Sequence, residues 1–89
     1  MSDFHLIVST PDGAVFDGRA EGLILRGALG DLAVLAGHMP MITTVKPGIC
    51  RILLEGDEEK SARTEGGLLT VAKDAVTLLC STFEEEEEE

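Results

Sequence analysis

Apolar residues in this chain come in short alternating runs broken by Gly, Pro and Asp, the punctuation of strands and turns. Over residues 4–9, Phe4, Leu6 and Val8 fall on one face while His5, Ile7 and Ser9 fall on the other. Thr10-Pro11-Asp12-Gly13 then reads as a turn, because Pro presets its φ and Gly accepts a positive one. The same pattern predicts further strands over 14–17, 20–26, 31–35, 41–46, 49–54, about 60–65, 68–72 and 75–81. Breaks fall at 27–30, 37–40, Pro47-Gly48 and Gly66-Gly67, and Lys73-Asp74 turns the last hairpin. Apolar spacing at three and four residues is nowhere sustained, so no helix of useful length is expected.

Nine or so short strands cannot lie in one flat sheet within 89 residues. Two packed layers let each bury one face on the other. The predicted fold is therefore all-β, a small two-sheet β-sandwich or flattened barrel of about nine to ten strands. Residues 1–83 are expected to form this single domain. With 3% aromatics, its core must be built from Leu, Val, Ile and Ala. Residues 84–89 are all glutamate and are expected to be disordered, since neighbouring like charges repel and nothing there can be buried.

Charge then narrows the function. The formal net charge is −10, from 17 acids against 7 bases, and the terminal run supplies six of those acids. No basic patch is available for a phosphate backbone, and no Trp or Tyr for stacking bases, so nucleic acid is not an expected partner. No basic segment followed by an apolar run opens the chain, and no apolar run approaches the ~20 residues of a membrane helix.

Candidate chemistry is sparse. Cys50 shares a strand face with Ile52 and Leu54, and Cys80 with Val76 and Leu78. A thiol facing a core without a neighbouring charge is inert, so both cysteines are expected to be buried and reduced. His5 and His38 stand in no metal-ligand spacing, and a structural metal needs about four convergent ligands. Gly27, Gly30 and Gly37 do not match a phosphate loop. No catalytic residue, cofactor or metal is expected. The loops near 27–30 and 37–40 do carry Leu29, Met39 and Met41. Apolar residues in loops at one end of a sandwich mark a binding edge, and Met adapts its shape to partners. The residues by themselves thus describe a β-sandwich binding module.

Three collinear segments add a resemblance. FHLIVSTPDGAVFDG (4–18), GALGDLAVLAGHMPMITTVKPG (27–48) and GGLLTVAKDAVTLLC (66–80) are similar to the epsilon subunit of F-type ATP synthases, called delta in mitochondria. Ala33 and Ala36 replace the family's usual Gly and Pro, and Glu65 a small polar residue. The resemblance implies a non-catalytic rotor subunit in the central stalk, joining the gamma subunit to the polar loops of the c-ring. It would act as a rigid coupling between ion flow and ATP synthesis, peripheral to the cytoplasmic side of a bacterial inner membrane or an organelle equivalent. Carried over by position, Leu29, Gly30, Asp31 and Leu32 are ring-contact candidates, with the Asp31 carboxylate expected to meet a basic or polar group. Thr10, His38 and Thr43 are gamma-contact candidates. The family commonly continues into a pair of C-terminal helices. Here the chain passes into glutamates, and a naturally short subunit, free of inhibition by such helices, is expected. The alternatives are a free-standing adaptor binding another protein by its loop end, and a small enzyme using Cys80 or His38.

Overall fold

Alternation makes each strand a wall with one dry side. In β1 (Phe4–Thr10), Phe4, Leu6 and Val8 are at most 4% exposed, while the residues between them are only half-buried. The computed structural model describes residues 3–37 and 39–86. The remaining strands are β2 (Gly13–Ala20), β3 (Gly22–Gly27), β4 (Gly30–Leu35), β5 (Met41–Val45), β6 (Gly48–Leu53), β7 (Glu59–Thr64), β8 (Gly67–Val71), β9 (Ala75–Cys80) and β10 (Glu84–Glu86). A single 3₁₀ turn, Glu55–Asp57, links β6 to β7. The all-β sandwich expected from the sequence is the fold observed.

The strands form two walls. One runs β5-β8-β9-β1-β2; the other runs β10-β7-β6-β3, with β4 on the free side of β3. Among the described residues β1 and β9 alone run parallel, and every other pairing is antiparallel. The two walls are one sheet folded over. Val45 pairs with Gly67 in one wall and Gly48 with Thr64 in the other, with two residues between on each strand, so the register passes the fold without a slip. The next ladder continues likewise, from Gly67–Cys80 to Arg63–Glu84. Three long strands, β5–β6, β7–β8 and β9–β10, therefore turn one shared corner. Beside this corner Gly27 of β3 pairs with Val45 of β5.

Local chemistry explains the corner. Pro47 has no N–H to continue a ladder. Gly66 sits at φ +110, and a Cβ there would stand 2.6 Å from the Val45 carbonyl oxygen. A Cβ on Gly67 would fall 1.9 Å from the Leu79 carbonyl oxygen. Glycine is the residue that lets neighbouring backbones come this close. Thr64, the one buried polar side chain among the described residues, accepts the Gly66 N–H at 3.2 Å. Inside the fold a single core joins both walls, with Leu6, Leu69 and Leu78 from one and Leu23, Cys50 and Ile52 from the other, each at most 1% exposed.

One expectation changes here. Glu84–Glu86 form β10 on the edge of β7, where disorder is predicted over 84–89. The ladder hydrogen bonds are one cause, and charge is another. Lys60 Nζ lies 3.4 Å from Glu85 and Arg63 Nε 3.5 Å from Glu86, so cations on β7 offset the repulsion within the run. Residues 87–89 lie outside the described residues.

Two outcomes follow from the corner and the edge. Gly67→Ala is expected to cost about 2–4 kcal/mol in urea unfolding, because backbone must shift to admit the methyl group. Gly18→Ala, with only the Phe16 ring at 3.8 Å and no positive φ, is expected to stay within about 0.5 kcal/mol. Removing residues 84–89 is expected to cost about 1 kcal/mol and to strip hydrogen-exchange protection from the β7 amides that faced β10.

Candidate functional site

The β3–β4 hairpin turns on Ala28 and Leu29, between the paired Gly27 and Gly30. Gly30 takes φ +133, which side-chain-bearing residues rarely adopt. A Cβ on Gly27 would meet the Gly30 carbonyl oxygen at 3.2 Å, so the turn is closed by glycine at both ends. The consequence is a bare tip: Leu29 is fully exposed, at 103%. Among the described residues Leu29 is the most exposed large apolar side chain.

The two sides of the tip differ. On one side Leu29, Leu32, Met41 and Thr43 line a small apolar hollow. On the other, Arg26, Asp31 and Lys46 line a polar notch. The Lys46 N–H donates to the Arg26 carbonyl at 2.8 Å, which sets the two cations side by side. Arg26 Nε lies 3.9 Å from Asp31 Oδ1, a loose pair of well exposed groups.

A second surface covers the outer side of the wall β5-β8-β9-β1. Registered across the strands are two rows, Thr44–Leu68–Leu79–Ser9 and Ile42–Thr70–Thr77–Ile7. Across β5, β8, β9 and β1 neither row contains a charge, and on β2 the second row continues to Asp17, which pairs with His5. Ile42 is 69% exposed and Leu79 49%. This outer face is more apolar than solvation alone requires.

The ring-contact candidates Leu29, Gly30, Asp31 and Leu32 all lie on the hairpin. Thr43, a gamma-contact candidate, faces the same hollow rather than a separate surface. Its hydroxyl donates to the Thr44 carbonyl at 3.4 Å. Thr10 lies elsewhere. Its hydroxyl accepts from Asp12 N–H at 3.2 Å and donates to the Gly13 carbonyl at 3.3 Å, and it borders a hollow with Pro11, Gly66, Gly67 and Leu79. His38 lies outside the described residues. Sequence reasoning missed Arg26 and Lys46. Arg26 was within reach of it, since the Gly27–Gly30 turn sets Arg26 opposite Asp31. Lys46 was not, since its contact joins strands from different parts of the chain.

The remaining chemistry is quiet. Cys50 and Cys80 are free and buried. Burial, helped by the neighbouring Cys80, pushes the Cys50 thiol up to about 12, and burial also raises Cys80. Among the described residues no group of three or more His, Cys, Asp or Glu side chains is placed to hold a metal ion.

Compared with known proteins, residues 3–86 match the family model described as the ATP synthase, Delta/Epsilon chain, beta-sandwich domain. The chain is 42% identical over 82 residues to the ATP synthase epsilon chain of Chromohalobacter salexigens, covering 92% of this chain and 58% of that one. It is 39% identical over 84 residues to the epsilon chain of Brevibacillus brevis, covering 94% and 64%. The chain thus spans about three-fifths of the length of these relatives. In fold it is similar to a chain of the Euglena gracilis mitochondrial ATP synthase (OSCP/F1/c-ring), with a TM-score of 0.89 at 21% identity, covering 96% of this chain and 54% of that one. A chain of the Tetrahymena thermophila mitochondrial ATP synthase central stalk and c-ring gives 0.76 at 10% identity, covering 90% and 64%.

The thiols provide a test of this quiet interior. At pH 8 a thiol at about 12 is ionised to roughly one part in ten thousand. Alkylation of Cys50 in the native protein is expected to run about a thousandfold slower than in urea, read by intact mass. The folded thiol holds its proton above the ordinary value of 9.0, so its contribution to stability is complete below pH 9 and is lost as pH rises toward 12. Urea unfolding across that window should show the loss, and Cys50→Ala should flatten it.

Proposed function

Because this chain belongs to the ATP synthase delta/epsilon β-sandwich family, we propose that it is a non-catalytic subunit of the central stalk, joining the gamma subunit to the c-ring. The observation that carries this reading is a pair of separate exposed surfaces, the Leu29 tip and the apolar outer wall around Ile42, Leu68 and Leu79, held on one rigid frame. A coupling between two moving partners needs two docking sites fixed relative to each other. A sheet whose ladders β5–β8 to β6–β7 and β8–β9 to β7–β10 continue through its corner supplies that rigidity, because bending it would break ladder hydrogen bonds.

In this reading the ring meets Leu29, Gly30, Asp31 and Leu32. Gamma meets Thr10, His38 and Thr43, with Leu68 and Leu79 of the outer wall adding apolar area. Thr43 then stands where the two partners come closest. No helix among the described residues is long and apolar enough to cross a membrane, so attachment would run through the complex. The relatives named above are bacterial, which supports a peripheral position on the cytoplasmic side of a bacterial inner membrane.

The test is titration of the chain with recombinant gamma subunit from the same organism, read by native mass spectrometry. A one-to-one complex is expected, and Leu68→Asp with Leu79→Asp should weaken it at least about tenfold, since buried charge without a partner is costly. Absence of any complex at about 50 µM would overturn the reading in favour of an adaptor for some other protein.

A further inference from the structure

Seven cations stand among seventeen acids in this chain, and most of the cations are taken. Arg19 is held by Asp3 at 2.7 Å, Arg51 by Glu59 at 3.3 Å, Lys60 by Glu85 at 3.4 Å and Arg63 by Glu86 at 3.5 Å. Among the described residues Lys46 and Lys73 have no ion-pair partner, and Arg26 has only its loose contact with Asp31. Two of these three under-used cations, Arg26 and Lys46, stand together at the notch beside the Leu29 tip.

The backbone puts them there. The Lys46 N–H bonds the Arg26 carbonyl, and the Arg26 stem lies over Gly48, where a Cβ would come within 3.8 Å of it. Two cations and one carboxylate leave this notch net positive in a chain of charge −10. Scattered cations in so acidic a chain would find acids nearby. A pair whose nearest acid is Asp31, loosely held at 3.9 Å from Arg26, beside a fully exposed leucine, is a recognition surface for negative charge.

We infer that the Arg26–Lys46 notch receives a carboxylate from a loop of the ring, while Leu29 packs against an apolar part of the same loop. This rests on the reading that the tip meets the ring, and it names the charge found there. The sign is opposite to the expectation for Asp31. That carboxylate already faces Arg26 inside the chain and tunes the notch rather than reaching for a basic group. Arg is suited to this role because its planar fork matches a carboxylate.

The experiment is binding of the full chain to detergent-solubilised c-ring from the same organism, by biolayer interferometry at about 20 and 200 mM salt. The pair Arg26→Gln and Lys46→Gln is expected to weaken binding about tenfold or more at low salt and to flatten its salt dependence, and Asp31→Asn to bind as tightly or tighter. A double variant within about twofold of wild type, or an Asp31→Asn that binds about tenfold more weakly, overturns the inference. Leu29→Asp separates the two levels. If it abolishes ring binding while the double variant does not, the tip still meets the ring and the acidic contact is wrong; if neither change matters, both readings fall. Vesicles of phosphatidylglycerol and phosphatidylcholine form the last arm. A double variant that loses vesicle binding but keeps ring binding assigns the notch to lipid and overturns the inference. All these side chains are exposed, and circular dichroism checks that each variant stays folded.

Discussion

At the shared corner, the carbonyl oxygens of Val45 and Leu79 come so close to Gly66 and Gly67 that neither position has room for a side chain. Everything else in the fold depends on that approach. It lets β5–β6, β7–β8 and β9–β10 bend together without losing register, so one sheet supplies both walls of its own core. A small domain has little apolar surface to spare, and folding one sheet over lets an interior of mostly Leu, Val and Ile, with Phe4, close on itself. The ladder that continues through the corner also makes the two walls a single mechanical body.

The two exposed surfaces are consequences of this arrangement. The corner brings Val45 up to Gly27, and that contact anchors the β3–β4 hairpin whose tip exposes Leu29. The same contact carries Lys46 to Arg26. On the opposite side, strand alternation sends Ile42, Leu68 and Leu79 outward as their neighbours Leu69 and Leu78 go in. Tip and outer wall are thus held at a fixed separation by hydrogen bonds, not by flexible linkers. For a subunit proposed to pass torque, stiffness of this kind matters more than any reactive group.

Much of this was legible in the sequence. The alternation of Phe4, Leu6 and Val8 with His5 and Ile7 marks β1, and Gly-Gly or Pro-Gly pairs mark most breaks. Strand alternation also points Cys50 and Cys80 inward, where they are found. Glu84–Glu86 depart from the disorder expected over 84–89, because composition says only that glutamates repel. The ladder with β7 and the cations Lys60 and Arg63 are set by pairing, which composition does not contain. The Arg26–Lys46 notch was missed for the same reason: the two residues meet across strands, not along one.

The type of fold, the composition of its core and the family are written in the order of residues along the chain. Those follow from local periodicity, turn chemistry and residue order, each readable within a few positions. Tertiary structure alone decided that the two walls are one folded sheet, that Thr43 shares a hollow with the Leu29 tip while Thr10 does not, and that two cations in an acidic chain stand without close partners. Each of these is a contact between residues far apart in sequence. Such contacts depend on strand register and on the path of the corner, which only the folded sheet specifies.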